Sequence, residues 1–286
     1  MFGLSVATTT PFTSEGEIDL GILKHHVVNS INSGAKSITF FGTTGEGPSL
    51  SFSEKYKTIS YLIPNYLKED QVVVAIICSN AKDVVSEINK YNNIGIYRFL
   101  ISPPYFFGNI GSFGLKEWFS EIFSCYLKTD NNFILYNIPQ VTGVRVENSL
   151  ISELRQEFGP HLVYGVKDSS GSLKSAKSYL EDENLMVAIG DERLIADCMS
   201  LGASGSICGL SNIFPQKILK ILETRSESRE VNNLVESILK FPVTSGIKAA
   251  LAIKTQNDIW FNVRSPLIRA PKIQIRELRP YIEKLD

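Results

Sequence analysis

Short apolar runs alternate with amphipathic segments eight times along this chain, and this alternation constrains its fold more than any other feature. Runs predicted as strands are Gly3–Ala7, Ser37–Phe41, Val72–Ile76, Tyr97–Ile101, Phe133–Tyr136, Leu162–Val166, Met186–Ala188 and Gly205–Ile207. Helical patterns follow them at Leu20–Ser33, Ser53–Leu67, Ala81–Asn92, Leu115–Leu127, Asn148–Gln156, Leu173–Leu180, Glu192–Leu201 and Pro215–Glu223. Continuous apolar strands that alternate with helices predict a parallel sheet covered on both faces.

Eight βα units are the number that closes a (β/α)8 TIM barrel. An open doubly wound sheet is the alternative, but no glycine-rich dinucleotide fingerprint follows the first strand. The segment Gly42–Gly45 also lacks the G-x-G-x-x-G spacing. Within the second helical pattern, Ser53 before Glu54 is a candidate helix cap. We therefore predict an α/β fold in which residues 1–224 form a closed barrel that carries the active site.

The remaining residues, 225–286, have helical periodicity. The helical patterns are Arg229–Phe241, Ser245–Lys254 and Ile273–Leu285, and a non-helical segment at 264–267 interrupts them. No linker or low-complexity tract separates this part from the barrel. We predict a C-terminal helical domain packed on the barrel.

Composition and charge exclude several classes of protein. Of the 286 residues, 43% are apolar and 21% are charged, which is typical of a soluble globular protein with a sizeable core. The formal charge of −1 has no basic stripe, so we expect a small-molecule partner rather than nucleic acid or a membrane.

Cysteine and histidine usage bears on location and metals. The four cysteines have no C-x-x-C spacing, and three lie in or beside apolar runs, which predicts reduced thiols in a cytoplasmic protein. The three histidines fit no metal-ligand pattern, so no metal site is expected. The N-terminus has no secretory pattern, and no run of about 18 apolar residues indicates a membrane span.

Polar residues that could take part in catalysis lie at the ends of three predicted strands. Lys167 follows the sixth strand directly and Tyr136 ends the fifth, while Thr43 and Thr44 come just after the second. In a TIM barrel the C-terminal strand ends meet at one mouth, where catalytic residues gather. A desolvated lysine there is a candidate nucleophile toward a carbonyl group, and the phenol of a tyrosine can transfer protons.

The order and spacing of five motifs resemble one known family. The motifs are Thr8-Thr9-Thr10-Pro11-Phe12, Gly42-Thr43-Thr44-Gly45-Glu46, Tyr136-Asn137-Ile138-Pro139 with Thr142-Gly143, Gly165-Val166-Lys167-Asp168, and Gly190-Asp191-Glu192. Together they resemble the dihydrodipicolinate synthase / N-acetylneuraminate lyase family of pyruvate-dependent class I aldolases. The resemblance covers nearly the whole chain.

The resemblance implies roles for individual residues. Lys167 corresponds to the Schiff-base lysine and Tyr136 to the proton-shuttling tyrosine. Thr43 and Thr44 correspond to residues that receive the carboxylate of the 2-oxo acid, and the backbone of Ile207 to one that borders bound pyruvate. The resemblance further implies a homotetramer with a C-terminal helical domain and no metal or organic cofactor.

Departures from the family pattern bear on the second substrate. Dihydrodipicolinate synthases carry an arginine for the carboxylate of aspartate semialdehyde where this chain has Val141. They also carry a second tyrosine, which crosses a subunit interface, where this chain has Phe106. The stretch 47–51 resembles 2-keto-3-deoxygluconate aldolases, and Asp191-Glu192 is displaced by one residue from the sugar-binding acidic pair of sialic acid lyases.

These departures favour a carbon-carbon or carbon-oxygen lyase acting on a 2-keto-3-deoxy sugar acid, with pyruvate and an aldehyde as its small-molecule partners. Glu192 and Arg193 join Val141 and Phe106 as candidate specificity residues. The alternatives are 4-hydroxy-tetrahydrodipicolinate synthase, with carboxylate recognition moved to Arg145 or Arg193, and N-acetylneuraminate lyase. A pyruvate-binding protein without turnover is a further alternative, because Phe106 would interrupt the proton relay.

Overall fold

The computed structural model describes residues 1–285 and contains a closed barrel of eight parallel strands. The strands pair in chain order, and the eighth pairs with the first through the register Gly3↔Gly205 to Val6↔Cys208. The strands are β1 Gly3–Ala7, β2 Ser37–Phe40, β3 Val72–Ile76, β4 Arg98–Ile101, β5 Asn132–Asn137, β6 Val163–Asp168, β7 Met186–Ile189 and β8 Gly205–Cys208.

Helices cover the outside of the barrel, so the predicted (β/α)8 architecture with a C-terminal helical extension is confirmed. Among residues 1–285 the α-helices are α1 Leu20–Asn32, α2 Phe52–Leu62, α3 Ala81–Asn92, α4 Ser112–Phe123, α5 Pro139–Thr142, α6 Asn148–Phe158, α7 Leu173–Leu180, α8 Ile195–Ser200, α9 Pro215–Thr224, α10 Arg229–Leu239, α11 Val243–Thr255 and α12 Lys272–Leu285.

The apolar residues form two separate cores. Alternate side chains of the strands point inward and fill the barrel, including Val73, Ile134, Ala188 and Ile207. The other side chains point outward and pack against the helices in a larger core. Successive side chains of a strand point to opposite faces of the sheet. A polar residue near a strand end therefore reaches the barrel mouth only if it occupies one of the inward-facing positions of that strand.

Several element boundaries differ from the predicted ones. β6 continues through Lys167 and Asp168 rather than ending before the lysine, because both residues keep register partners on β5 and β7. α2 begins after Ser51, whose side chain forms a capping box with Glu54, so Ser53 is not the cap. The same helix ends at Leu62 rather than residue 67, because the proline that follows Ile63 disfavours helical backbone there.

The helices after residue 224 pack on one another and on the barrel. α11 and α12 contact each other and α10, while the residues between α11 and α12 reach back to the barrel through Arg264. The division of the chain into two domains at residue 224 stays a proposal. The last residue of the predicted C-terminal domain, Asp286, lies outside the described residues.

Cysteine burial differs from the expectation that three of the four belong to the core. Cys198 and Cys208 are buried, Cys78 is half-buried, and Cys125 is exposed just after α4. The predicted fourth helix, Leu115–Leu127, would have included Cys125, whereas α4 ends at Phe123. Over residues 1–285, no helix is both long enough and apolar enough to cross a membrane.

Glu54 makes an ion pair with Arg264 that joins α2 to the C-terminal part of the chain, with 2.5 Å between Oε1 and Nη2. The hydrogen bond from Arg264 lowers the pKa of Glu54 to about 2. A carboxyl group with a lowered folded-state pKa stabilises the protein above its unfolded pKa, and this stabilisation is lost as the pH falls through the folded value.

We therefore expect Glu54→Gln to lower the free energy of unfolding near neutral pH. The deficit should shrink as the pH falls from about 4.3, the usual carboxyl value, toward the folded value. Urea unfolding followed by circular dichroism at a series of pH values measures this, with Glu117→Gln at an exposed position as the control. A deficit that is constant with pH would contradict the assignment.

Candidate functional site

Lys167 and Tyr136 lie side by side at the mouth of the barrel. Lys167 Nζ is 3.2 Å from Tyr136 Oη and 4.3 Å from the centre of its ring. The lysine is only 5% exposed and the tyrosine is 2% exposed. A buried amine against a phenol is an arrangement that suits attack on a carbonyl with proton transfer at the same place.

Strand register explains this proximity. Tyr136 on β5 and Lys167 on β6 are register partners on adjacent parallel strands, so both side chains point into the barrel at the same level. The next pair, Asn137 and Asp168, points outward, and the Asn137 amide donates to Asp168 at 2.8 Å. Asn137 also accepts from the backbone N–H of Val146. These outward bonds fix the strand ends that carry the reactive pair.

Thr43 extends the same line of hydroxyl groups. Its Oγ1 is 3.4 Å from Tyr136 Oη. Burial on its own raises the pKa of Tyr136, but the charge of Lys167 and hydrogen bonds with Thr43, Lys167 and Ser169 outweigh burial and leave that pKa below its usual value. The phenol is therefore the link between the lysine amine and the loop after β2.

The compact backbone of that loop depends on residues with positive φ and on a glycine at a close backbone approach. Phe41 has a positive φ of 60°, which ends β2 at Phe40 rather than at Phe41 as predicted, and Glu46 has a φ of 56°. At Gly47 a β-carbon would collide with the carbonyl of Phe41, so the turn requires glycine there. The turn presents Thr43 and Thr44 toward the barrel mouth.

Thr44 and Ile207 lie on the β8 side of the mouth. A β-carbon on Gly209, just beyond β8, would lie 3.5 Å from Thr44 Oγ1, and Ile207 faces the barrel interior. The structure thus brings together five of the predicted site residues, Lys167, Tyr136, Thr43, Thr44 and Ile207, at one end of the barrel.

A buried ion pair behind the loop was not found by sequence reasoning. Lys248 Nζ on α11 is 2.6 Å from Glu46 Oε1, and both side chains are 0% exposed. Lys248 also donates to the Thr10 carbonyl, and the other carboxylate oxygen of Glu46 accepts from the Arg264 N–H. Burial lowers the pKa of Lys248, although Glu46 opposes that effect. The pair anchors the loop carrying Thr43 to the C-terminal helices.

A second contact strengthens this anchor. Thr244, at the start of α11, donates its hydroxyl hydrogen to the Thr43 carbonyl at 3.2 Å. The available signal in the sequence was Lys248 itself, a cation within the apolar stretch 247–252, but nothing in the sequence identifies its partner 202 residues away.

A cavity of about 210 Å³ opens beside Tyr136 and Thr43. Val141, in the short helix α5, lines this cavity and is 60% exposed at its rim. The predicted specificity position therefore lines the same cavity as Tyr136 and Thr43.

The other three candidate specificity residues lie elsewhere. Glu192 is buried and accepts from the backbone N–H of Leu210, and burial raises its pKa despite that bond. Arg193 is bound by Asp191 at 2.7 Å and does not line the cavity. Phe106 is 80% exposed on the loop after β4, stacked edge-on against Phe107.

Within the part of the chain that the structure describes, no three His, Cys, Asp or Glu side chains cluster as a metal centre requires. A closed (β/α)8 barrel with a buried lysine and tyrosine at its C-terminal mouth has the architecture of class I aldolases. Comparisons with known proteins agree with this class.

Residues 1–284 match the Dihydrodipicolinate synthetase family, and the chain belongs to that family. It is similar to a dihydrodipicolinate synthase structure from Agrobacterium tumefaciens, with a TM-score of 0.96, 34% identity and coverage of 100% of this chain and 99% of that one. It is 33% identical to the 4-hydroxy-tetrahydrodipicolinate synthase of Wigglesworthia glossinidia brevipalpis over 81% of this chain and 74% of the relative.

The fold is shared with a more distant enzyme as well. A Sulfolobus 2-keto-3-deoxygluconate aldolase aligns with a TM-score of 0.85 over 99% of this chain and 96% of that one, at 22% identity. The predicted family is confirmed, and the chain is a lyase of the class I pyruvate-aldolase type.

Proposed function

We propose that this protein is a Schiff-base aldolase that uses Lys167 to cleave a 2-keto-3-deoxy sugar acid into pyruvate and an aldehyde, as 2-keto-3-deoxygluconate aldolases do. The observation that carries the proposal is the 3.2 Å contact between Lys167 Nζ and Tyr136 Oη at the barrel mouth. The neutral amine attacks the ketone carbon of the 2-oxo acid, and loss of water gives an iminium ion.

Tyr136 has two proton transfers to perform. It donates a proton to the leaving hydroxyl of the carbinolamine, and it accepts the proton of the 4-hydroxyl group when the bond between C3 and C4 breaks. Thr43, at 3.4 Å, passes protons onward from the phenol. The iminium ion accepts the bonding electron pair as an enamine, which is protonated and hydrolysed to pyruvate and free lysine.

The carboxylate of the 2-oxo acid is assigned to Thr43 and Thr44. Their backbone N–H groups donate no hydrogen bond within residues 1–285, and both side chains are half-buried at the mouth. Adjacent N–H groups in a turn bind small anions. Ile207 forms the opposite wall inside the barrel.

Val141 supports a substrate whose aldehyde half has no carboxylate. The side chain lines the cavity next to Tyr136 without offering a charge. This favours 2-keto-3-deoxygluconate-type acids over substrates with a second anionic group, which a site of this kind would bind without a counter-ion.

The second candidate is 4-hydroxy-tetrahydrodipicolinate synthase, which condenses pyruvate with aspartate semialdehyde. Its support is the 33 to 34% identity with proteins that carry the synthase names. Arg145 pairs with Glu147 and Arg193 with Asp191, so neither arginine lines the cavity as a replacement for the arginine that Val141 displaces.

A homotetramer is part of the proposal, by resemblance to the family. The exposed aromatic rings of Phe106 and Phe107 on the loop after β4 suit burial between subunits. The molar mass in solution tests this arrangement.

Reduction with borohydride in the presence of pyruvate tests the chemistry. The expected result is a reduced pyruvate adduct on Lys167, located by peptide mass spectrometry. Retro-aldol assays on 2-keto-3-deoxygluconate and N-acetylneuraminate, alongside condensation with aspartate semialdehyde, then rank the candidates. Unmodified protein after reduction would rule out the Schiff-base mechanism, and efficient ring formation from aspartate semialdehyde would favour the synthase.

Tyr136→Phe separates proton transfer from packing. The ring continues to fill the barrel interior, but the phenol that contacts Lys167 and Thr43 is lost. We expect kcat for retro-aldol cleavage to fall by roughly 10²- to 10⁴-fold, the usual contribution of a positioned acid or base. Thr8→Val, with a side chain buried outside this relay, is the control. Equal losses in both variants would contradict a proton-transfer role.

A further inference from the structure

The cavity beside Tyr136 has aliphatic walls. Val141 and Ile138 form the side next to the tyrosine, and residues from three other segments complete the surface. Those residues are Pro48, Ile77, Pro266 and Leu267. Such walls stabilise a ligand through apolar contact rather than through hydrogen bonds.

Three of the six hydroxyl groups in the cavity lining donate hydrogen bonds to backbone carbonyls of the protein. Ser102 donates to the Pro103 carbonyl, Thr142 to the Val144 carbonyl and Thr244 to the Thr43 carbonyl, and all three side chains are buried. Beyond Tyr136 and Thr43, which handle the proton, only Ser49 lines the cavity with a hydroxyl that makes no hydrogen bond within residues 1–285.

The charged groups near the cavity already have partners within the protein. The only charged residue in its lining is Glu46, and its carboxylate is occupied by Lys248 and the Arg264 backbone. The guanidinium of Arg264 is occupied by Glu54 and by the carbonyls of Gly16 and Ser49, and Arg264 is not part of the cavity lining. A carboxylate on the aldehyde would therefore be desolvated here without a cation, which disfavours it strongly.

We propose that the aldehyde partner of this enzyme is an uncharged alkyl aldehyde whose hydrocarbon chain occupies this cavity. The inference rests on the proposed pyruvate chemistry but departs from its sugar-acid form, because a polyhydroxylated chain would lose water without gaining partners. In the condensation direction, C3 of the enamine on Lys167 forms a bond to the aldehyde carbon. The aldehyde oxygen takes a proton from Tyr136, and water hydrolyses the iminium ion to release a 4-hydroxy-2-oxo acid.

Condensation of pyruvate with matched aldehydes tests the proposal on the native protein. From propanal to butanal to pentanal, kcat/KM should rise about fourfold with each methylene until the cavity is full. Butanal should exceed succinic semialdehyde, in which a carboxylate replaces the terminal methyl group, by at least about tenfold. Propanal should exceed glyceraldehyde, which adds two hydroxyl groups to the same chain.

Val141 provides the matched variants, because it lies at the exposed rim where substitution leaves the core intact. Val141→Arg should raise the ratio of succinic semialdehyde to butanal turnover by about tenfold or more, through a charge-assisted hydrogen bond. Val141→Met, of similar length without charge, should leave the ratio unchanged or lower it.

The outcomes separate the two proposals. Borohydride trapping of pyruvate on Lys167 together with the expected aldehyde order supports the Schiff-base chemistry and the alkyl inference, and it rules out the sugar-acid form of the proposed function. Trapping with kcat/KM that is flat along the alkyl series, or with succinic semialdehyde or glyceraldehyde preferred, overturns the alkyl inference alone. Absence of trapping overturns both.

Discussion

Lys167→Ala is expected to abolish the pyruvate adduct and to lower kcat for any aldol reaction of this protein by roughly 10⁴- to 10⁶-fold, as loss of a covalent nucleophile does in other enzymes. The amine is the only group in contact with Tyr136 Oη that can form a Schiff base. The fold should persist, because the substitution removes one hydrogen bond, to Tyr136 Oη, and leaves no unpaired buried charge behind.

Lys167→Arg is the matched control for charge. Arginine places a permanent positive charge near Tyr136, stays protonated and cannot attack a ketone. We expect both variants to lack the adduct after borohydride reduction while their circular dichroism matches that of the native protein. An adduct in Lys167→Ala, or lyase activity within tenfold of native, would assign the nucleophile to another residue.

Lys248→Met is expected to lower the free energy of unfolding strongly. It would leave the Glu46 carboxylate, which is 0% exposed, without its cation. Breaking a buried ion pair by removing one partner typically costs about 3–5 kcal/mol. Urea unfolding of the full chain measures the difference in the free energy of unfolding.

The double variant Glu46→Gln with Lys248→Met gives the decisive comparison. Its cost should be much smaller than the sum of the two single costs, because no isolated charge remains in the interior. Additive costs would mean that the two residues act independently. If the pair also positions Thr43, the double variant should fold yet show reduced kcat. Glu46→Asp should also reduce kcat, because the shorter side chain cannot keep the 2.6 Å contact to Lys248 without moving the loop.

Periodicity in the sequence was sufficient for the barrel because each strand and helix depends on neighbours close in the chain. The positions of Lys167 and Tyr136 followed from the same pattern, since both stand where strands end at one mouth. Their exact juxtaposition needed the register between β5 and β6, which includes an irregularity between Phe133 and Ile134 that no periodicity reveals.

Other features depended on long-range packing and local backbone rules. The apolar pattern that continued to Leu67 indicated a longer second helix, but Pro64 acts on the residue before it and ends the helix at Leu62. Arg193 was a candidate for a substrate carboxylate, yet Asp191, two residues earlier, binds its guanidinium. The buried ion pair between Glu46 and Lys248 joins segments far apart in the chain, so only the folded structure reveals it.

The ion pair between the loop after β2 and α11 also limits how relatives of this protein can recombine. A chimera that joins the barrel of one relative to the C-terminal helices of another contains only one member of the ion pair, unless both relatives have the acid and the lysine. Such chimeras would inherit a buried charge with no counter-ion. The acid and the lysine therefore have to be inherited together, although 201 residues of sequence separate them.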